Sequence, residues 1–219
     1  MKKKKKRRSA APIMIIMFII MATIVGGGIF LYVNANKLML PGEWSREIDI
    51  TTYAVDEAGR YLAQATFGDE VEMKEYISDV KLTNVLMVTK EGEITSTVDK
   101  DSYEYALSMC KSGLETAVRD LIDRRIKENY IETDMTVDEL IGETFSMSLS
   151  EYLNQYAPKL LPDYEEFETD YGMSATYVAD KDSITISSEG AEDMECNYAV
   201  SHGMLVIDYS DGAVVYYER

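Results

Sequence analysis

The chain reads as an α+β protein: an N-terminal transmembrane helix, then an antiparallel eight-stranded meander or barrel with a helical insertion between strands three and four. Three observations predict this. A long uncharged apolar run lies close to the start, apolar residues recur at period two on either side of the chain's middle, and in the middle the spacing changes to three and four residues.

The first eight residues, "MKKKKKRR", carry seven positive charges, and Pro12 to Val33, "PIMIIMFIIMATIVGGGIFLYV", carries none. As a helix this run would be about 33 Å long, enough to cross a hydrocarbon core of roughly 30 Å. Cleaved signal peptides have apolar regions of only about 7–15 residues, so the expectation is an uncleaved signal anchor, although Val33-Asn34-Ala35 would suit cleavage. The basic start places the N-terminus in the cytoplasm and the remainder outside. The partition is a cytoplasmic basic segment (1–11), a signal anchor (12–33), a short linker (34–41) and an extracytoplasmic domain (42–219). The linker is too short for a stalk, which sets the domain close to the membrane.

Seven of the 22 basic residues and none of the 39 acidic residues precede residue 36, so the rest holds 15 basic against 39 acidic side chains, net −24. Such a field excludes nucleic acid as a partner, opposes anionic surfaces, and favours solubility and basic partners.

After the linker, "GEWSREIDIT" alternates as a strand, and 54–66 suits a short helix. Strands near 79–89 and 93–98 flank Glu91-Gly92, a hairpin signal. From Ser102 a stripe of Ala106, Met109, Cys110, Leu114, Ala117, Val118, Leu121, Ile122 and Ile126 predicts an amphipathic helix of about 25 residues, with Asp101 and Glu104 at its start. Capping boxes at Thr136-x-x-Glu139 and Ser148-x-x-Glu151 begin two more helices. The helical insertion thus covers about 102–168, and Pro162 with the acidic run "DYEEFETD" reads as the connector that ends it. From Tyr171 five strands follow, separated by Asp180-Lys181-Asp182, Gly190, His202-Gly203 and Asp211-Gly212. Eight such strands can close into a barrel, and a two-layer sheet under a helical cover is the competing architecture. Cys110 and Cys196 fall on apolar faces, which leaves open a disulfide or two buried thiols.

The pattern Gly42-x-Trp44 on the first strand, the eight-strand meander, the helix after the first strand and Arg219 on the last strand resemble the lipocalin-like barrels of the calycin group. The resemblance implies that Trp44 plugs the closed end and that Arg219 lies across its ring, a cation–π contact of about 0.5–2 kcal/mol. The helical insertion departs from ordinary lipocalins and is similar instead to membrane-anchored bacterial surface proteins of unknown function with a split lipocalin-like sheet.

Chemistry-bearing motifs are few. The chain has one histidine, His202, within a turn signal, which gives no basis for a nucleophile–histidine pair or a zinc set. The cluster Asp163, Glu165, Glu166, Glu168 and Asp170 lacks calcium-loop spacing, and no phosphate-binding glycine motif occurs. No metal or cofactor is expected. Tyrosine is abundant, with 16 residues. Tyr171, Met173, Tyr177, Tyr198, Ile207 and Tyr209 fall on strand faces that, turned inward, would line an apolar ligand pocket or fill the core. The expected function is non-catalytic binding of a small apolar ligand within the barrel or of an envelope component on its surface. The alternatives are an interaction or scaffold module with a solid core, and a carboxylate-dependent hydrolase.

Overall fold

A computed structural model describes residues 27–64, 71–128, 134–156 and 160–219. Most of the expected span, 12–26, lies outside the described residues. Among those described, 27–33 are helical and no helix is long and apolar enough to cross a membrane.

A short helix, α1 (Ala35–Met39), leads into strand β1 (Gly42–Asp49), helix α2 (Thr51–Gln64) and a single 3-10 turn, Met73–Glu75. The hairpin β2 (Lys81–Val88) and β3 (Glu93–Val98) follows. The helical insertion then comprises α3 (Lys100–Glu128), α4 (Val137–Phe145), α5 (Leu149–Tyr156) and α6 (Tyr164–Tyr171). The meander is completed by β4 (Met173–Ala179), β5 (Ser183–Ser187), β6 (Met194–Ser201), β7 (Met204–Tyr209) and β8 (Val214–Glu218). All eight strands pair with their sequence neighbours antiparallel, and the sheet closes into a barrel. The closing seam is thin: β1 meets β8 through one residue pair, Ser45 opposite Glu218.

Period two decides which residues point inward. Trp44, Arg46 and Ile48 of β1 share the inner face with Leu82, Asn84, Leu86 and Val88 of β2 and with Ile94, Ser96 and Val98 of β3. Two apolar clusters result. One, around Trp44, Leu86, Ile94, Ile184, Leu205, Ile207 and Tyr217, fills the barrel. The other joins Ile50, Leu82 and Val98 to the buried stripe of α3, including Ala106, Cys110, Leu114 and Leu121, and caps the opposite end on the β2–β3 side. Cys110 lies in the second cluster and Cys196 in the first, both free and buried.

Three local differences from the sequence reading have physical causes. The acidic run is not a connector but helix α6: its first amides find a partner because the Glu166 carboxylate accepts from the Asp163 N–H at 2.7 Å. Tyr171 therefore ends a helix rather than opening the fourth strand, which starts at Met173. The start of α3 is held by Asp99 instead of Asp101, since the Asp99 carboxylate accepts from the Ser102 N–H at 2.7 Å.

Candidate functional site

The two ends of the barrel are built differently. At the end where α1 enters, Leu40 and Trp44 are both about 1% exposed, and the Trp44 indole N–H donates to the Leu40 carbonyl at 2.8 Å. The Arg219 guanidinium lies 4.4 Å from the Trp44 ring centroid and donates to the Met39 and Pro41 carbonyls at 3.0 and 2.9 Å. Gly42 makes this approach possible, since a Cβ there would sit 2.5 Å from the Arg219 Nη2. This end is closed and packed.

The six residues read as interior candidates fall into three groups. Tyr177 and Tyr198 point inward near the closed end, and their hydroxyls donate to the backbone carbonyls of Thr89 (2.6 Å) and Asp180 (2.8 Å). With their polar tips satisfied and Ile207 about 1% exposed, these three fill the core. Tyr171 packs with the helical cluster, and its carbonyl accepts from the Ser96 hydroxyl at 3.0 Å. Met173 and Tyr209 stand at the far mouth of the barrel, inward-facing and half-buried.

At that far mouth the sequence reading missed a residue. Arg46 stands two positions after Trp44, so period two sends it to the same inner face. Its Nε donates to Asn84 Oδ1 at 3.3 Å, and its guanidinium carbon lies 5.4 Å from the Tyr217 ring centroid across the β1–β8 seam. Asn84, about 1% exposed, is itself fixed by donating to Ser96 Oγ at 2.8 Å. Among the described residues no carboxylate pairs with Arg46. The Tyr209 and Tyr217 hydroxyls likewise have no hydrogen-bond partner among them, yet neither oxygen is sealed, so both open onto accessible space.

Burial first, and the neighbouring Tyr217 second, push the Tyr209 hydroxyl up to about 12. Burial also raises Tyr217, against the opposing pull of Arg46. At neutral pH Arg46, Tyr209 and Tyr217 therefore present one guanidinium and two neutral phenols, all donors. Donors of this kind suit an acceptor-rich or anionic group. It contains no nucleophile paired with a base.

A recess of about 240 Å³ lies in the helical insertion between α3 and α5, with Leu107, Leu114, Leu153 and Leu160 on one side and Lys111, Glu115, Asn154 and Asp163 among its polar lining.

The class of protein that these features define is an eight-stranded antiparallel closed barrel with helices, consistent with a lipocalin-like barrel. Comparison of the chain with protein-family models, with curated proteins and with solved structures finds no match in any of the three.

Proposed function

We propose that this chain is a membrane-anchored, non-catalytic binding module of the cell exterior that takes a small molecule with an acid group and an apolar body into the far mouth of its barrel. The observation that carries the reading is Arg46, an inward guanidinium with no carboxylate paired to it among the described residues. Holding a cation on a partly desolvated face is costly unless something offsets it, and an incoming carboxylate gives charge-assisted hydrogen bonds of about 1.5–3 kcal/mol. Tyr209 and Tyr217 add two neutral donors. The packed interior around Trp44 and Ile207 restricts the site to the mouth, so the ligand is shallowly seated rather than swallowed. The anchor reading rests on the uncharged run Pro12–Val33 and its basic flank.

Native mass spectrometry of the full chain, released gently from cells of its source, tests this. The expected result is an adduct of a few hundred daltons that is lost on unfolding and absent from an Arg46→Met variant. An adduct retained by that variant, or a bare wild-type chain, would favour an interaction module with a solid barrel.

A further inference from the structure

Helix 27–33 meets α1 at Asn34, whose backbone leaves helical geometry (φ −107°, ψ 13°), and two bonds bridge the joint: the Asn34 N–H donates to the Phe30 carbonyl at 3.0 Å and the Leu38 N–H to the Asn34 carbonyl at 2.9 Å. The helix is then clamped to the barrel. Asn36 reaches across to a turn and a strand at the closed end, its Nδ2 donating to the Lys181 carbonyl at 3.1 Å and its Oδ1 accepting from the N–H of Val200 in β6 at 3.2 Å. Arg219 holds the Met39 and Pro41 carbonyls, and Trp44 holds that of Leu40. A single asparagine bonded to two separate segments, followed within five residues by two further ties, is a rigid bracket rather than a linker.

The surface around the bracket is unlike the rest of the molecule. Ile29, Phe30, Leu31, Tyr32, Val33, Leu38 and Met39 are exposed, and Val178, Met87 and Met204 are exposed on the outer barrel wall at the same end. Charge divides the same way. The three hairpin turns at the closed end, with segment 36–41 and Arg219, carry Lys37, Lys90, Lys181 and Arg219 against Glu91, Asp180 and Asp182, and the exposed Glu43 and Glu218 stand beside Met87 and Met204. The two turns at the far end, 188–193 and 210–213, carry Glu189, Glu192, Asp193 and Asp211 and no basic residue. There the exposed Met194 and Val214 stand among these acids.

We propose that the closed end of the barrel is a bilayer-docking face, held against the lipid interface by the Asn36–Trp44–Arg219 bracket, with the barrel mouth and the helical insertion turned away from the membrane. This rests on the anchor reading above. Only two residues, Asn34 and Ala35, separate Val33 from Asn36, so the bracket engages as soon as the chain leaves the hydrocarbon. The apolar Leu38 and Met39 then lie at interfacial depth, and this end, where basic residues stand among the acids, meets less repulsion at an anionic surface than the far turns, which have none. Strands of five to eight residues in a tilted barrel set the far turns about 15–20 Å further out.

The test places the full chain in lipid nanodiscs carrying a headgroup nitroxide, with one fluorophore at Glu91→Cys or at Glu189→Cys; the native thiols are buried. Quenching several-fold stronger at position 91 than at 189 is expected, and the difference should shrink in an Asn36→Ala, Arg219→Ala background whose circular dichroism is unchanged. Equal quenching at the two positions in the otherwise native chain, with the chain still co-eluting with the discs, would overturn the docking and leave the anchor standing. Failure to co-elute would overturn the anchor itself and the docking with it.

Discussion

Arg46 and the tyrosines around it set the behaviour of the barrel mouth. An alternating strand that places Trp44 in the core must place residue 46 there too, so Arg46 was legible in "WSR" once the strand phase was known. It was passed over because a charged residue on a short strand is ordinarily assigned to solvent. Its partners were not legible, since the pairing of Arg46 with Tyr217 depends on where the barrel closes. The tyrosine faces were readable from period two, but which hydroxyls are satisfied was not, because Thr89 and Asp180 are backbone acceptors brought in by other hairpins. Those hydroxyls give a pH dependence. Burial pushes Tyr198 and Tyr209 up to about 12, whereas an unfolded tyrosine ionises near 10. With the folded value raised, their contribution to stability is complete below about pH 10 and is lost as pH rises toward 12. The urea midpoint should fall across that window, and fall less in Tyr209→Phe, whose hydroxyl has no protein partner to lose. An equal fall in the variant would contradict this account of Tyr209.

At the scale of elements, α3 shows how the insertion is seated on the barrel. Its apolar stripe was plain in the sequence, and the buried Ala106, Cys110, Leu114, Ala117, Val118 and Leu121 follow it. The role of Gly113 was not plain, because nothing local distinguishes a tolerated helix glycine from a required one. In the structure the segment after the 3-10 turn crosses it so closely that a Cβ would lie 2.5 Å from Ile77 Cγ1 and 2.6 Å from the Tyr76 carbonyl oxygen. In an exposed helix interior, Gly→Ala gains about 1 kcal/mol, but overpacking costs about 1–3 kcal/mol. Gly113→Ala should therefore lower unfolding free energy by about 1–2 kcal/mol in a denaturant titration, and a gain would mean that the crossing is looser than described. Helix α6 escaped the sequence reading because five acids in the eight residues 163–170 look like a solvated connector. Two of its side chains instead finish strand β3: Glu168 accepts from the Val98 N–H at 2.5 Å, and Tyr164 donates to the Val98 carbonyl at 2.8 Å. Such a use of an acidic residue needs a long-range contact that spacing cannot reveal.

For the whole molecule, strand count, order and the place of the insertion were legible because each hairpin carries its own turn signal, among them His202-Gly203 with φ values of 52° and 81°. The division into a packed end beside α1 and an acid-rimmed end opposite was not, because it follows from closure. That division sets an unusual condition on binding. Glu189, Glu192, Asp193 and Asp211 repel a free anion approaching the mouth, while Arg46, half-buried, is screened less than they are. Uptake of an acid should therefore strengthen between low and physiological ionic strength.

The most direct measurement is calorimetric titration of the full chain, held in amphipol, with octanoate and with octanol, in the wild type and in Arg46→Met. Saturable octanoate binding at least about ten-fold tighter than that of octanol, with the preference lost in the variant, is the predicted result. Equal affinity for acid and alcohol, or an acid preference that survives removal of the guanidinium, would contradict the assignment of Arg46 as the recognising group.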